Sequence, residues 1–264
     1  MAEASDEVAS PTAAEAAPGG PAAGGTPVVP ATVRESLALV LDTDDLVEAT
    51  RLARELAPWF GVVKVGLELY SAAGPDAVET MRDLGYDVFV DLKLHDIPTT
   101  VQRAARVLGS LGATYLTLHA RDDAAMLRAG VDGLLQGAAA AGLPQPVALA
   151  VTVLTSDAGA PPHIMPRRAA LAVETGCGGI VCAASDLHDA LLTAPKLLRV
   201  VPGIRLAGAD TNDQARPATP GAAISAGADL LVIGRTVTHA DDHAAAAAAV
   251  AAEVEVALEA RHTS

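Results

Sequence analysis

The chain has 264 residues, which is enough for one large domain or two small ones. Apolar residues make up 51% of it, so a sizeable core can form and a wholly disordered chain is excluded. The formal net charge of −14 disfavours a general nucleic-acid or anionic-membrane binder, because such proteins present a basic surface. The sequence shows neither a membrane-spanning apolar run nor a signal-peptide pattern, which predicts a cytoplasmic protein.

Residues 1–32 differ in composition from the rest of the chain. They are mostly Ala, Pro, Gly, Ser, Thr and Glu, with four acidic residues and no Lys or Arg. Such a segment buries too little apolar surface to offset the entropy lost on ordering. We therefore predict a disordered tail over 1–32 and one catalytic domain over 33–264.

From residue 33 onward, short apolar runs alternate with segments of helical spacing. The predicted strands are Leu37–Leu41, Val62–Val65, Val88–Val90, Tyr115–Leu118, Val147–Leu154, Gly179–Val181, Leu198–Val201 and Leu230–Ile233. The clearest predicted helices are Leu46–Leu56, Val78–Leu84, Val101–Leu111, Met126–Leu135 and Ala244–Leu258. Eight such units predict an α/β protein with a (β/α)8 TIM barrel. An open doubly wound sheet is the alternative, but a Gly-rich loop often follows its first strand, whereas here a helix-capping sequence, Asp42–Asp45, follows.

The predicted strands end in polar side chains, at the positions where TIM barrels carry their active sites. These residues are Asp42, Lys64, Asp91, Lys93, His119, Thr155, Arg205 and Arg235. The chain has 15 Arg but only three Lys, and two of the three lysines belong to this set. Lys can donate or lose a proton in a tuned site, whereas Arg stays protonated, so the two lysines indicate acid–base chemistry.

The most informative motif is Asp91-Leu-Lys93-Leu-His-Asp96. Asp91 and Lys93 are two residues apart, which predicts that they point to the same side of a strand, and Asp96 falls in the loop beyond. A purely structural ion pair is the alternative. It is disfavoured because burying two aspartates and a lysine is costly without a functional return.

A phosphate site is predicted at the ends of the last two strands, where Pro202–Arg205 and Gly234-Arg235 lie. Loops at these positions often bind phosphate through backbone N–H groups, and a guanidinium fits phosphate oxygens. The alternative is an ordinary turn with solvated arginines. Gln214 is placed to reach across the mouth of the barrel. Thr155 and Ser156 either face a planar ligand or cap a helix.

Several remaining Cys and His residues are assigned to structure rather than to a metal site. Cys177 and Cys182 lie in an apolar stretch and are predicted to be buried thiols without a disulfide. His239 and His243 have i, i+4 spacing but no third ligand nearby in sequence, so no metal is predicted. His95 and His119 either orient their neighbours or are hydrogen-bonded structural residues.

Taken together, these motifs resemble those of the orotidine 5′-phosphate decarboxylase family. The resemblance runs from about Leu37 to Thr238. It is carried by Leu41-Asp42, Val63–Gly66, Asp91–Pro98, Ala150–Ser156, Val201–Arg205, Asp213-Gln214 and Ile233–Arg235. Thr99 stands where the family commonly has Asn, and the acidic tail lies outside the pattern.

The resemblance implies an enzyme that converts orotidine 5′-phosphate to uridine 5′-phosphate without a cofactor or metal. It implies that the catalytic residues are Lys93, Asp91, Asp96 and Lys64. It implies that the substrate is bound by Asp42, Lys64, Thr100, Thr155, Ser156, Arg205, Gln214, Gly234 and Arg235. In the family Asp96 and Thr100 would come from a second subunit, so a homodimer with shared active sites is expected.

Two other functions are weighed against this one. The 3-keto-gulonate-6-phosphate decarboxylases and hexulose-phosphate synthases resemble the Asp-x-Lys-x-x-Asp strand, but they use Mg²⁺ and typically place Glu where this chain has Lys64. A non-catalytic sensor of a phosphate ligand is the second alternative. It predicts a broken set of charged residues, whereas every member is present: Asp42, Lys64, Asp91, Lys93 and Asp96.

Overall fold

The computed structural model describes residues 1, 28–121, 124–154, 160–207 and 218–263, and strands alternate with helices along them. The strands are β1 (Leu37–Leu41), β2 (Val62–Gly66), β3 (Asp87–Leu94), β4 (Ala113–His119), β5 (Val147–Val151), β6 (Gly179–Val181), β7 (Leu198–Val201) and β8 (Leu230–Ile233). The helices are α1 (Ala31–Glu35), α2 (Leu46–Leu56), α3 (Leu67–Ala73), α4 (Pro75–Asp83), α5 (Pro98–Leu111), α6 (Ala124–Ala140), α7 (Ile164–Glu174), α8 (Leu187–Thr193), α9 (Pro220–Ser225), α10 (Arg235–Thr238) and α11 (His243–His262).

The eight strands form one closed parallel barrel. Each strand pairs with the next, and β8 pairs with β1 through the register Leu37 to Leu231 and Leu39 to Ile233. The predicted TIM barrel is confirmed. The doubly wound sheet is excluded, because an open sheet would leave two edge strands that do not pair with each other.

Alternate residues of each strand face two different cores, which explains why the strand sequences are continuously apolar. In β1, Leu37, Leu39 and Leu41 pack against the surrounding helices, whereas Ala38 and Val40 point into the barrel. The buried residues of the barrel interior are Ala38, Val40, Val62, Phe89, Leu149, Val200, Leu230 and Val232. They fill the barrel interior, and Val40, Phe89 and Val232 also line a cavity at the carboxyl ends of the strands.

Four strands differ from their predicted bounds: β2 ends one residue later, β4 begins two residues earlier and ends one residue later, and β3 and β5 differ more. β5 ends at Val151 rather than Leu154, because the backbone N–H and the hydroxyl of Thr152 both donate to the Val181 carbonyl, at 3.1 and 2.8 Å. The guanidinium of Arg168 donates to the carbonyl of Thr152, so strand pairing stops there. β3 continues past Val90 to Leu94 through an irregular segment.

Helices α5 and α6 pack with their backbones in direct contact, which only glycine allows at the crossing points. A Cβ atom at Gly137 would lie 1.9 Å from the carbonyl oxygen of Arg106. A Cβ at Gly133 would lie 2.2 Å from the carbonyl oxygen of Gln102. Since α5 begins at Pro98, two residues after Asp96, this packing positions the loop that carries Asp96.

Capping residues account for two acidic clusters in the sequence. Oδ1 of Asp45 accepts a hydrogen bond from the Val47 N–H at 2.8 Å at the start of α2, as the sequence predicts. Asp242 caps α11 in the same way, through the Ala245 N–H at 2.9 Å. His243 follows this cap, and its Nδ1 lies 3.2 Å from Oε1 of Glu55.

The chain enters the barrel through α1, which begins at Ala31 and buries Val33. The structure therefore starts its first helix two residues before the predicted domain boundary at 33. Residues 2–27 of the predicted tail lie outside the described residues. Among the helices that are described, none has the length and apolar character that crossing a bilayer requires.

Both cysteines are buried and unoxidised, as the sequence predicts. Burial raises the pKa of the Cys177 thiol to about 11, and a contact with the Thr175 hydroxyl offsets only part of this effect. The thiol therefore stays protonated at neutral pH and serves as a small core side chain.

Candidate active site

A cavity of about 480 Å³ opens at the carboxyl ends of the strands. Seven of the residues predicted from the sequence line it: Asp42, Lys64, Asp91, Lys93, Arg205, Gly234 and Arg235. They lie in or directly after β1, β2, β3, β7 and β8. Closure of the barrel thus brings residues from both halves of the chain to one rim, as expected for this fold.

Four of these side chains form a row of alternating charge. Nζ of Lys64 lies 3.4 Å from Oδ1 of Asp42 and 3.6 Å from Oδ2 of Asp91. Nζ of Lys93 lies 2.8 Å from Oδ1 of Asp91. The side chains of Asp91 and Lys64 are 13% and 11% exposed, whereas that of Lys93 is 32% exposed and so remains accessible from the cavity.

The carboxylate of Asp91 is held in its ionised form. Burial alone would raise its pKa, but the positive charges of Lys64 and Lys93 and the hydrogen bonds from Lys93 and Thr117 outweigh burial, so the pKa lies below its usual value. Asp91 is therefore a permanent negative charge at neutral pH. It contacts both lysines, Lys93 through Oδ1 and Lys64 through Oδ2.

The backbone of β3 is irregular where it carries Asp91 and Lys93. Val90 pairs with Leu116 and Leu94 pairs with Leu118, so four steps on β3 match two on β4. Lys93 has φ of 49°, and apart from glycines no other described residue has a positive φ. Asp91 and Lys93 do share the cavity as predicted, but through a bulge with a left-handed residue rather than through simple strand alternation.

Gly66, at the end of β2, leaves room for the lysine beside it. A Cβ atom at this position would lie 2.8 Å from Nζ of Lys64 and 3.2 Å from Oδ1 of Asp42. The absent side chain thus allows the ammonium and the carboxylate to approach each other. This is a physical reason for the glycine in the Val63–Gly66 motif.

The loops after β7 and β8 are tied together at the other side of the cavity. Nη1 of Arg205 donates to the Ile204 carbonyl at 2.9 Å, and the Thr236 hydroxyl donates to the same oxygen at 2.8 Å. Gly234 precedes α10 and Arg235 is its first residue. The two segments predicted to bind phosphate are therefore adjacent and braced against each other.

Of the other predicted site residues that the structure describes, Asp96 and Thr100 do not line this cavity. Asp96 and Thr100 are exposed, and Oδ1 of Asp96 accepts the N–H of Ile97 at 2.7 Å. Thr155, Ser156 and Gln214 lie outside the described residues. β5 ends at Val151, whereas the sequence predicted a strand that continues to Leu154, directly before Thr155.

The sequence reasoning missed the apolar side of the cavity. The lining residues that it did not single out include Val40, Phe89, Val151, Val153, Leu154, Val181, Val232 and Thr238. The inward-facing period of two along the strands is a signal that would have found Phe89, which stands two residues before Asp91. The cavity thus combines a charged row with an apolar wall, as a site for a ring-bearing anion requires.

His119, at the end of β4, is packed against His95 beside the site, with ring centroids 5.9 Å apart. Burial lowers the pKa of His119, and the neighbouring basic side chains of His95, Arg168, Arg121 and Lys93 lower it further. The ring is therefore neutral at physiological pH. It does not line the cavity, but its buried Nδ1 has no hydrogen-bond partner among the described residues, so the predicted hydrogen-bonded structural role is not supported at this nitrogen.

Comparison with known proteins identifies the family. The model of the "Orotidine 5′-phosphate decarboxylase / HUMPS family" matches residues 35–250. The chain is 46% identical over 229 residues to the orotidine 5′-phosphate decarboxylase of Anaeromyxobacter dehalogenans, covering 83% of this chain and 97% of that protein. It is 42% identical over 236 residues to the orotidine 5′-phosphate decarboxylase of Moorella thermoacetica, covering 84% and 93%.

A solved structure agrees with these sequence matches. The crystal structure of orotidine 5′-phosphate decarboxylase from Lactobacillus acidophilus has a TM-score of 0.72 and 32% sequence identity, and the match covers 83% of this chain and 99% of that one. The resemblance inferred from the motifs is thereby confirmed. The chain belongs to the orotidine 5′-phosphate decarboxylase / HUMPS family.

Proposed function

We propose that the protein decarboxylates orotidine 5′-phosphate to uridine 5′-phosphate in pyrimidine nucleotide biosynthesis, without a cofactor. The observation that carries the proposal is the row Asp42–Lys64–Asp91–Lys93 in a cavity at the rim of the barrel. Family membership and the names of the relatives at 42–46% identity support the same activity.

Lys93 is the proton donor in this proposal. When the bond between C6 and the carboxylate breaks, CO₂ leaves. The electron pair of the broken bond stays on C6 of the pyrimidine. The Lys93 ammonium stabilises this charge and then transfers a proton to C6, forming the C–H bond of the product. Asp91, 2.8 Å from Nζ, aims the ammonium and lies beside the departing carboxylate.

The other cavity residues bind the rest of the nucleotide. Lys64 and Asp42, joined at 3.4 Å, hold the ribose hydroxyls. Gly234 and Arg235 bind the phosphate, and Arg205 assists from the loop after β7. Thr155 and Ser156 face the pyrimidine, and Gln214 bridges the ring and the phosphate. All of these substrate-binding roles follow from the resemblance.

A homodimer with shared sites belongs to the same proposal. Asp96 and Thr100 are exposed and lie outside the cavity of their own protomer, and Ile97 between them is 66% exposed. Ile97 is an exposed apolar side chain, and its neighbour Asp96 does not reach the cavity of its own protomer. Both features are expected of a surface that contacts another subunit. In this arrangement Asp96 and Thr100 complete the site of the partner. The predicted cytoplasmic location and the absence of nucleic-acid and membrane partners remain predictions.

A decarboxylation assay in EDTA tests the activity. We expect the purified protein to consume orotidine 5′-phosphate, followed by its ultraviolet absorbance, at a rate that EDTA does not reduce. The matched measurement uses 3-keto-gulonate 6-phosphate with Mg²⁺, for which no turnover is expected because Lys64 stands in place of the usual Glu. A folded protein that fails with the first substrate, or that needs Mg²⁺ for it, contradicts the proposal.

A further inference from the structure

One buried hydroxyl bridges the two residues at the centre of the proposed reaction. Thr117, in β4, is fully buried and does not line the cavity. Its Oγ1 accepts the backbone N–H of Lys93 at 2.9 Å and donates to Oδ1 of Asp91 at 3.0 Å. The same Oδ1 accepts the Lys93 ammonium at 2.8 Å. Thr117 therefore contacts the backbone of the ammonium donor and the carboxylate that aims it.

The position of this bridge in the sheet explains why it is needed. Residues 91–93 have no paired partners in β4, since the register passes from Val90 opposite Leu116 to Leu94 opposite Leu118. A bulged segment loses part of its ladder hydrogen bonding, and the left-handed conformation of Lys93 is unfavourable for a residue with a Cβ. The hydroxyl of Thr117 supplies a fixed hydrogen-bond partner where the regular ladder is interrupted.

We propose that Thr117 is a positioning residue of the decarboxylation step, which fixes the bulge so that Asp91 and Lys93 keep their relative orientation. The inference rests on the proposed function. Thr117 acts through these two residues and touches no part of the substrate itself. Because proton transfer depends on alignment at the level of about 1 Å, loosening this bridge lowers the rate far more than it weakens nucleotide binding.

A second threonine on the same strand provides a matched control. Oγ1 of Thr114 accepts the Val88 N–H at 3.2 Å and donates to Oδ1 of Asp87 at 3.2 Å. This is the same kind of bridge between β3 and β4, next to another register shift, but at the end of the barrel opposite the cavity. Removing either hydroxyl weakens the β3–β4 contact, whereas only one removal affects the candidate site.

The test compares Thr117→Val, which keeps the shape and removes the hydroxyl, with Thr114→Val. We expect Thr117→Val to lower kcat by up to about 100-fold, while KM for orotidine 5′-phosphate and Kd for uridine 5′-phosphate change less than about threefold. Thr114→Val should keep the kcat of the parent protein. A second pair of variants, Thr117→Ser and Thr117→Ala, separates the hydroxyl from the methyl group. Both lack the threonine methyl group, but only Ser keeps the hydroxyl, so only Thr117→Ser should retain most of kcat.

Each outcome decides the inference. An unchanged kcat in Thr117→Val, or equal losses in Ser and Ala, overturns the positioning role. If Thr117→Val does not fold, as judged by circular dichroism, the Ser and Ala pair gives the answer. A parent protein that binds uridine 5′-phosphate but does not turn over the substrate refutes the proposed function instead, so the two failures are distinguishable.

Discussion

Lys93 is the residue on which the proposed chemistry depends most directly. Replacing it by Ala removes both the charge that stabilises the carbanion and the proton that ends the reaction. We expect Lys93→Ala to lose about 10³-fold or more in kcat, while Arg235 and Gly234 still hold the phosphate. Initial rates give kcat, and calorimetric titration with uridine 5′-phosphate gives the retained affinity. A variant with the parent rate would show that another group donates the proton.

The depressed pKa of Asp91 has a consequence for stability as well as for catalysis. A carboxyl whose pKa is lower in the folded than in the unfolded chain stabilises the fold above its unfolded pKa, near 4, and this contribution is lost as the pH falls through the folded value. We therefore expect the stability of the parent protein relative to Asp91→Asn to decrease on acidification below about pH 4. Urea unfolding at several pH values measures the difference, and a difference independent of pH would contradict the prediction.

At the scale of elements, the α5–α6 contact depends on glycine. An added methyl at Gly137 would lie 1.9 Å from a backbone oxygen, which no side-chain rearrangement can relieve. We expect Gly137→Ala to lower the free energy of unfolding by about 1–3 kcal/mol. Gly221→Ala in α9 is the control, because its nearest atom is 3.4 Å away and it should be tolerated. Equal stability of the two variants in thermal unfolding would argue against the close packing.

The strands also show how much of the structure the sequence predicts. β1, β6, β7 and β8 have the predicted bounds, and in β1, β7 and β8 a polar or turn residue follows the apolar run directly. The predicted end of β5 is wrong. Val153 and Leu154 are apolar because they line the cavity, not because they belong to the strand. Apolarity alone does not distinguish a paired strand from a cavity wall.

The charged residues of the candidate site could be predicted from the sequence, but the backbone bulge and the hydrogen bonds that position them could not. The scarcity of Lys and the strand ends were enough to identify Lys64 and Lys93. The bulge depends on a hydrogen bond between Lys93 and Thr117, which are 24 residues apart, and no local pattern encodes that contact. Gly66 could be quoted as part of a motif, but its steric reason required the position of the Lys64 ammonium.

For the whole molecule, a mixing experiment tests the proposed homodimer with shared active sites. Neither Lys93→Ala nor Asp96→Ala should be active alone. Co-expressed, they form heterodimers in which one site carries both substitutions and the other carries neither. With random pairing, about a quarter of all sites are intact, so about a quarter of the parent activity should return. Recovery no greater than the sum of the two separate variants would place Asp96 outside the partner's site.

The net charge of −14 does not oppose an anionic substrate at this site. Screening over roughly 8 Å at physiological salt confines the influence of distant acidic residues. Among the residues that line the cavity, Lys64, Lys93, Arg205 and Arg235 outnumber Asp42 and Asp91, so the local charge is positive. The net charge of the whole chain therefore does not predict the charge of the ligand, whereas the lysines in the cavity do.

The left-handed backbone of Lys93 also implies a conflict between thermal stability and activity. Any L-residue at this position carries a conformational cost of about 1–2 kcal/mol, which glycine avoids. Since Lys93→Ala and Lys93→Gly both lack the ammonium, comparing them isolates the backbone contribution. We expect the Gly variant to unfold at a higher temperature than the Ala variant, although glycine's greater freedom in the unfolded chain offsets part of the gain. Selection for thermal resistance alone would thus favour glycine here, at the expense of the lysine that we propose as the proton donor.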